Sequence, residues 1–348
     1  MPEVRKRPSG SAAPTTSLLT DRYGRVARDL RVSLTDRCNL RCTYCMPAEG
    51  LPWLPTSDLL TDDEIVRLVA VGVSRLGITN VRLTGGEPLL RKNLEALVAE
   101  IAALRPRPSI ALTTNGIGLA RRAEALAVAG LDRINISLDT LDPDTFARLS
   151  RRRRLPDVLA GVSAARAAGL EPVKINTVLL RGVNDHEAID LLRWAMAEGV
   201  QLRFIEQMPL DAQHGWRRSE MVTAAEIRTR LNEQVELVED EQDAATRGSA
   251  PAQLFRVTGT DYAVGIIASV SQPFCGACDR VRLTADGQIR NCLFARTESD
   301  LRTPLREGVD DDELASRWVA AVRGKQAGHG IDDPSFLQPD RPMSAIGG

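Results

Sequence analysis

The feature that most constrains the fold is a repeated alternation of short apolar runs with amphipathic helical stretches. The runs have the length, the β-branched residues and the flanking turns of strands, and they lie at 30–35, 80–85, 109–115, 133–139, 172–180 and 201–208. Helices are predicted at about 93–104, 119–129, 156–168 and 186–198, and another begins at the capping box Thr61-Asp62-Asp63-Glu64. Such a series predicts a parallel sheet that is two units short of an eight-fold barrel.

The C-terminal part of the chain does not continue this pattern. It holds a polar stretch at 239–253 that we interpret as a linker, two strand-like runs, a hairpin that turns at Asp286-Gly287, and a helix near 310–323. We therefore predict an α/β fold: a partial, six-unit parallel β/α barrel over 18–225, closed by a C-terminal domain over 226–348. Residues 1–17 are rich in Pro, Ser and Ala and predict a disordered N-terminal arm.

Composition excludes several classes of function. The chain is 43% hydrophobic and 26% charged with a net charge of −1, which gives no reason to expect nucleic acid as a partner. No apolar run approaches the ~20 residues of a membrane span, and the N-terminus lacks the apolar core of a secretory signal. We expect a cytoplasmic protein whose thiols stay reduced, so its six cysteines indicate metal or redox chemistry.

The cysteines form two groups of three. Cys38, Cys42 and Cys45 have the spacing C-x3-C-x2-C, and a second triplet with the spacing C-x2-C-x13-C consists of Cys275, Cys278 and Cys292. A structural zinc site closes with four Cys or His ligands, and none of the chain's histidines adjoins a triplet. Each iron of a four-iron cubane takes one outside ligand, so three thiolates would leave one iron open to a cofactor or substrate.

Cationic residues recur on the predicted core strands, where they are costly unless a ligand offsets them. They are Arg31, Arg82, Lys174 and Arg203. Arg280 and Arg282 alternate after Cys278 and so point to the same side, and the planar fork of arginine suits phosphate. We therefore expect an anionic substrate inside the barrel. The run 151–154 of four arginines is interpreted as a solvated loop without a site role.

Together these motifs resemble a known family. The first triplet, with Tyr44 before its third cysteine, resembles the signature of radical S-adenosylmethionine (SAM) enzymes. The second triplet within FCGACDRVRLTADGQIRNCLF (274–294) and the Gly347-Gly348 end are similar to the GTP 3′,8-cyclases, also called molybdenum cofactor biosynthesis protein A. The resemblance extends from about Leu18 to the last residue.

The resemblance implies a lyase with two 4Fe–4S clusters and SAM as cofactors. In this family a 5′-deoxyadenosyl radical abstracts the ribose 3′ hydrogen of GTP. The ribose carbon then bonds to guanine carbon 8, which gives 3′,8-cyclo-7,8-dihydro-GTP in the first step of molybdenum cofactor biosynthesis. Implied partners are GTP, a flavodoxin-type electron donor, a downstream cyclic pyranopterin monophosphate synthase and a second copy of the chain.

It also implies which residues form the site, with one cysteine triplet on each cluster. The SAM contacts are Tyr44, Gly86, Ser137 and Met208. The GTP contacts, to which the strand pattern adds Arg203, are Arg31, Arg82, Thr113, Lys174, Arg280, Val281 and Arg282. The catalytic residues are Arg280, Arg282, Gly347 and Gly348. Asn80 stands where many relatives carry a lysine, which puts one phosphate contact in doubt.

The stretch TGGEP (84–88) admits a plain tight turn, although we favour a backbone edge that meets the SAM amino group. Two other functions stay open at this point. One is a radical SAM enzyme that modifies a peptide, against which the cationic strands argue. The other is a zinc or iron–sulfur scaffold for electron transfer or protein interactions, which leaves the missing fourth ligand of both triplets unexplained.

Overall fold

The structure is a computed structural model that describes residues 17–347. The predicted N-terminal arm lies outside the described residues except for Ser17, and Gly348 lies outside them as well. Within 17–347, the helices are too short or too polar to cross a bilayer.

One sheet forms the centre of the molecule, and its strands run in the order β12-β11-β10-β1-β2-β3-β4-β5-β6-β9-β8-β7. The strands are β1 (Asp29–Ser33), β2 (Asn80–Thr84), β3 (Ser109–Thr114), β4 (Arg133–Ser137), β5 (Val173–Val178), β6 (Gln201–Ile205), β7 (Leu237–Glu239), β8 (Gln253–Val257), β9 (Ala263–Ile267), β10 (Arg280–Leu283), β11 (Gln288–Arg290) and β12 (Ser299–Asp300). Strands β1 to β6 are parallel neighbours in chain order, which confirms the six-unit partial barrel.

The C-terminal segment extends this barrel at both edges. β10 pairs in parallel with β1, and β9 pairs in parallel with β6. The predicted hairpin is present as the antiparallel pair β10 and β11, with Gly287 in the left-handed conformation at φ +77°. The inward faces of β9 and β10 therefore border the same interior as the six barrel strands.

Helices follow most of the parallel strands, as predicted. They are α1 (Asp62–Leu76), α2 (Leu94–Ala103), α3 (Ala123–Val128), α4 (Pro143–Ser150), α5 (Leu155–Ala167), α6 (Ala188–Glu198), α7 (Ala224–Asn232), α8 (Glu241–Thr246), α9 (Arg302–Arg306), α10 (Asp311–Arg323) and α11 (Met343–Ile346). The capping box at Thr61 is formed, with the Thr61 side chain accepting from the Glu64 amide. Helix α4 was not predicted; Asp142 caps it and Pro143 starts it.

The interpretation of 239–253 as a linker was wrong. Asp240 accepts hydrogen bonds from the amides of Gln242 and Asp243 and so caps α8. The stretch also contains the end of β7 and the start of β8. A side-chain cap satisfies unpaired amides at the start of a short polar helix. A cap of this kind cannot be recognised from hydrophobic periodicity, so α8 was not predicted.

Helix α10 fastens the C-terminal segment to the barrel. Its Trp318 is fully buried, and a β-carbon on Gly72 of α1 would lie 3.3 Å from the Trp318 ring. Arg67 of α1 donates to Asp311 at 3.0 Å across the same contact. Because a glycine lets two helices approach closely, α10 packs tightly against α1.

Candidate active site

A single cavity of about 760 Å³ occupies the interior of the partial barrel, and all six cysteines line it. It is also lined by most of the other predicted site residues: Arg31, Tyr44, Arg82, Gly86, Thr113, Ser137, Lys174, Arg203, Met208, Arg280 and Arg282. Val281 does not line it, because its side chain is 1% exposed in the hydrophobic core. Any contact of Val281 with a ligand in the cavity would have to come from its backbone.

The two triplets lie at opposite ends of the parallel strands. The first follows the C-terminal end of β1, whereas Cys278 precedes the N-terminal end of β10, which runs parallel to β1. The cationic side chains of the inner strands line the cavity between them. Groups bound at the two triplets would therefore face each other along the length of the cavity.

The first triplet lies on the loop after β1. The Cys45 amide donates to the Cys42 carbonyl at 2.9 Å, and the Leu40 amide donates to Cys38 Sγ at 3.4 Å. Burial is the largest cause that raises the pKa of Cys38 to about 11 and that of Cys45 to about 12. Burial, then Asp139 and the two other thiols, raises the pKa of Cys42 well above its ordinary value. These thiols would therefore ionise only on binding metal, which displaces the proton.

The TGGEP stretch packs directly against this loop. The Gly86 amide donates to the Thr35 carbonyl at 2.7 Å, and the Glu87 amide donates to the Arg37 carbonyl at 2.8 Å. A β-carbon on Gly85 would lie 2.5 Å from the Thr35 oxygen, and one on Gly86 would overlap the Arg37 carbonyl. The two glycines are thus needed to bring the loops after β1 and β2 together.

Buried carboxyl groups support the same end of the cavity. Glu87 accepts from the Asn115 amide and the Thr114 hydroxyl, both at 2.7 Å, and burial raises its pKa to about 7. The Tyr44 hydroxyl donates to Asp139 at 2.6 Å, and burial raises the pKa of Asp139 to about 6. The hydrogen bond fixes the Tyr44 ring beside Cys45.

The second triplet lies among cations. Lys325 Nζ is 3.4 Å from Cys278 Sγ, and Arg280 Nη1 is 3.8 Å from the same sulfur. Burial alone would raise the pKa of Cys278, but Lys325 and Arg280 bring it below its ordinary value. Arg280 also lies over the Phe274 ring, 5.0 Å from its centroid. The cations therefore favour a thiolate at this end of the cavity.

Between the triplets, arginines of adjacent strands stand side by side. Arg31 on β1 is in register with Arg82 on β2 and with Arg282 on β10. The buried Nε atoms of Arg31, Arg82 and Arg280 have no hydrogen-bond partner within the described residues. Burial and then the neighbouring arginines lower the pKa of Arg203. Like charges opposite one another destabilise a sheet, so this arrangement fits an anion that accepts these unmade hydrogen bonds.

The C-terminal tail reaches the cavity from the rim. Ser344 lines the cavity together with Cys45, and Arg282 Nη1 donates to the Gly347 carbonyl. Gly347 has φ +86°, and a β-carbon there would lie 2.9 Å from Thr84 Cγ2. The tail thus lies between the first triplet and Arg282 of β10, at a glycine whose positive φ and close contacts disfavour any other residue.

The thiols suit iron–sulfur clusters better than single ions. All six cysteines are free, and no group of three His, Cys, Asp or Glu side chains within 17–347 is arranged to hold one metal ion. A four-iron cubane is larger than one ion, so its thiolates stand farther apart than zinc ligands do. Three thiols line each end of the cavity, and this number of ligands would leave one iron of such a group open to another ligand.

The structure adds residues that the sequence reasoning missed. Arg133 and Asn135 line the cavity beside Ser137 on β4, and their alternation with apolar residues was a usable signal. The interpretation of 151–154 as a solvated loop without a site role was only partly correct. Arg151 donates to the carbonyls of Arg41 and Met46 and so fixes the first cysteine loop. No signal in the sequence marked Asp139 or Lys325. Each is recognised only by its contact in the structure, Asp139 with Tyr44 and Lys325 with Cys278.

Fold and cavity together define a radical SAM protein. A radical SAM superfamily model matches residues 32–195, and a model described as Molybdenum Cofactor Synthesis C matches residues 200–331. Among solved structures, Streptococcus suis SuiB bound to S-adenosylmethionine has a TM-score of 0.59 at 16% identity, over 87% of this chain and 69% of that one. anSMEcpe with bound AdoMet and a Cp18Cys peptide has a TM-score of 0.55 at 14% identity, over 87% and 81%. At these identities the likeness shows the fold alone.

Curated relatives give the family. The GTP 3′,8-cyclase of Streptomyces coelicolor is 63% identical over 95% of this chain and 96% of its own length. GTP 3′,8-cyclase 2 of Mycobacterium tuberculosis is 57% identical over 100% of this chain and 98% of its own length. The chain belongs to the GTP 3′,8-cyclase family, whose members carry two 4Fe–4S clusters and use SAM.

Proposed function

We propose that the chain cyclises GTP in the cavity between its two cysteine triplets. The hydrogen of the ribose 3′ carbon of GTP passes to a 5′-deoxyadenosyl radical, and the ribose carbon bonds to guanine carbon 8. One electron from an external donor and one proton then give 3′,8-cyclo-7,8-dihydro-GTP for molybdenum cofactor biosynthesis. The observation that carries the proposal is one cavity with a thiol triplet at each end and, between them, arginines whose buried Nε atoms have no hydrogen-bond partner within the described residues. A nucleotide triphosphate suits that region because the planar fork of arginine donates hydrogen bonds to phosphate oxygens.

The first triplet and the surrounding loops bind the first cluster and SAM. Cys38, Cys42 and Cys45 hold three irons, and the chemistry that this cluster and SAM supply when bound is a 5′-deoxyadenosyl radical. Tyr44, Gly86, Ser137 and Met208 orient SAM, with Tyr44 itself oriented by Asp139. The cavity wall keeps water from the radical.

The second triplet and the inner strands bind the nucleotide. Cys275, Cys278 and Cys292 would hold the second cluster, and three thiolate ligands would leave one iron open to the guanine base. The triphosphate and ribose contacts come from Arg31, Arg82, Thr113, Lys174, Arg203, Arg280, Arg282 and the backbone of Val281. Arg280 and Arg282 also act on the reacting nucleotide, and the Gly347-Gly348 end contributes to catalysis.

We further propose the cellular location, the oligomeric state and the partner proteins of the enzyme. The enzyme works in the cytoplasm as a homodimer, a flavodoxin-type protein supplies electrons, and a cyclic pyranopterin monophosphate synthase consumes the product. Size-exclusion chromatography with light scattering tests the dimer. Reduction by purified flavodoxin tests the electron donor.

Anaerobic turnover with isotopically labelled GTP tests the central proposal. The reconstituted protein is given SAM, a reductant and GTP deuterated at the ribose 3′ carbon. We expect 5′-deoxyadenosine that carries the deuterium, together with the cyclised nucleotide, both measured by mass spectrometry. Unlabelled 5′-deoxyadenosine or an unchanged nucleotide, from protein with full iron and sulfide content, would contradict it.

A further inference from the structure

Lys325 is a buried cation to which the proposed function gives no role. It follows α10, outside both cysteine motifs, and is 4% exposed. Its Nζ donates to the carbonyls of Cys278 and Arg280, each at 3.0 Å, and lies 3.4 Å from Cys278 Sγ. One side chain therefore contacts a cysteine of the second triplet at two atoms and the strand that carries the arginine pair.

The charge of Lys325 has no carboxylate to offset it. Within residues 17–347, its hydrogen-bond acceptors are two carbonyls and a thiol, and it takes part in no ion pair. A buried ammonium without a counter-charge is costly. A thiolate that ligates iron would supply the missing negative charge at 3.4 Å, so the position makes physical sense once the second cluster is in place.

The residues that follow Lys325 hold the other end of the same motif. Arg25 donates to the Cys275 carbonyl at 2.7 Å and to the carbonyls of Gln326 at 2.5 Å and Ala327 at 2.9 Å. Gly328 lies against Cys275, since a β-carbon on Gly328 would be 4.0 Å from Cys275 Cβ. The segment 325–329 thus contacts both Cys275 and Cys278 and fixes their separation.

We propose that Lys325 is a positioning residue of the second cluster that also raises its reduction potential. The proposal rests on the assignment of Cys275, Cys278 and Cys292 to that cluster in the proposed function. A hydrogen bond to a ligand sulfur and a nearby positive charge stabilise the reduced cluster, which is the more negative form. By donating to the Arg280 carbonyl as well, Lys325 keeps the first arginine of the pair in register with the cluster.

A measurement of the second cluster alone tests this. The background is the full chain with Cys38→Ala, Cys42→Ala and Cys45→Ala, so that any remaining cluster belongs to the second triplet. In it, Lys325→Met removes the charge and all three contacts at similar side-chain volume, Lys325→Gln removes the charge but keeps a donor, and Lys325→Arg keeps the charge. Lys92→Met, at an exposed lysine, is the matched control.

We expect a lower midpoint potential for Lys325→Met in a redox titration followed by electron paramagnetic resonance, a smaller shift for Lys325→Gln, and the least for Lys325→Arg. Lys92→Met leaves the potential unchanged. Loss of iron from Lys325→Met, with circular dichroism and thermal unfolding like the background, would support the positioning role directly.

Full cluster content with an unchanged potential in both Lys325→Met and Lys325→Gln would overturn the proposal. A background protein that folds but holds no cluster gives a different result. It would refute the assignment of the second triplet, and the proposed function with it, before Lys325 is varied.

Discussion

The two ends of the cavity differ in charge, although each presents three thiols. At the first triplet, after burial, Asp139 raises the pKa of Cys42 and Glu87 raises that of Cys38, and the opposing effects of Arg151 and Arg41 are smaller. At the second triplet, Lys325 and Arg280 lower the pKa of Cys278. The same ligand chemistry is thus placed in two opposite electrostatic surroundings.

This difference sorts the two ligands in the proposed site. SAM carries a positive sulfonium, which the Asp139 carboxyl at the first end suits, whereas GTP carries a triphosphate that suits the cations of the other end. The polarity therefore orients both molecules in one cavity and brings the ribose between them. Variants that alter one end alone should separate the two tasks.

The largest effects should come from the thiols. Cys42→Ala should abolish both SAM cleavage and GTP cyclisation, since the first cluster is lost. Cys278→Ala should abolish cyclisation while reductant-driven SAM cleavage continues, since only the second cluster is lost. Iron and sulfide content, 5′-deoxyadenosine and the cyclised nucleotide are measured in both variants. If Cys278→Ala stopped SAM cleavage as completely as Cys42→Ala, the ends would not have separate tasks.

The tail that joins the two ends should be next in sensitivity. Gly347→Ala places a β-carbon 2.9 Å from Thr84 Cγ2 at φ +86°, so the carbonyl that accepts from Arg282 must shift. We expect cyclisation to fall about a hundredfold, as misplaced catalytic groups do, with SAM cleavage retained. Gly330→Ala is the control, because it has φ +71° but no heavy atom within 4 Å of the new carbon. Equal losses in the two variants would point to backbone strain rather than tail placement.

Much of this arrangement could be predicted from the sequence. The strand–helix alternation predicted β1 to β6 because each unit is local, and the cysteine spacing predicted two sites with an open position. The alternation of Arg280 and Arg282 correctly predicted that both reach one cavity. Each of these predictions rested on a local pattern of residue types.

Long-range placement could not be predicted in the same way. The pairing of β9 and β10 with the two barrel edges has no local signature, so the opposite placement of the triplets was not foreseen. Helix α8 rests on the Asp240 cap rather than on hydrophobic periodicity. Lys325 is one lysine in a polar stretch, and its importance depends on a sulfur far away in the sequence.

Arg133 offers a smaller test of the cationic end. It lines the cavity, takes part in no ion pair within the described residues, and donates to Asn80 Oδ1 at 3.4 Å. Arg133→Gln should weaken GTP binding by about tenfold, since a hydrogen bond to a charged group contributes about 1.5–3 kcal/mol. Binding of guanosine, which lacks phosphates, should not change. Both are measured by anaerobic calorimetry.

Two further variants control this prediction. Arg153→Gln removes an exposed arginine paired with Asp144 at 2.9 Å and should leave GTP binding unchanged. Asn80→Lys, added to Arg133→Gln, returns a cation to the adjacent position and should recover part of the lost affinity. Equal weakening of guanosine binding in Arg133→Gln would show that the arginine supports the cavity wall instead of a phosphate.

The smallest expected effect is a dependence of GTP binding on pH at Lys174. Burial, then Arg203, Arg133 and Arg82, lowers the pKa of Lys174 to about 8; its register partners Asn135 and Gln201 carry no charge. Above that pH the free enzyme loses the ammonium, and a bound triphosphate favours the protonated form, so affinity should fall as pH rises. The fall is at most about tenfold per pH unit for one proton.

Lys174→Arg isolates this group, because arginine stays charged over the whole range. The dissociation constant for GTP, measured from pH 7 to pH 9, should rise in the parent and stay nearly flat in the variant. A parallel rise in both proteins would assign the proton to another group. A dissociation constant that does not change with pH in the parent would mean that burial and the nearby arginines do not lower the pKa of Lys174 into this range. The positive charges around Lys174 would then repel one another less than their positions imply.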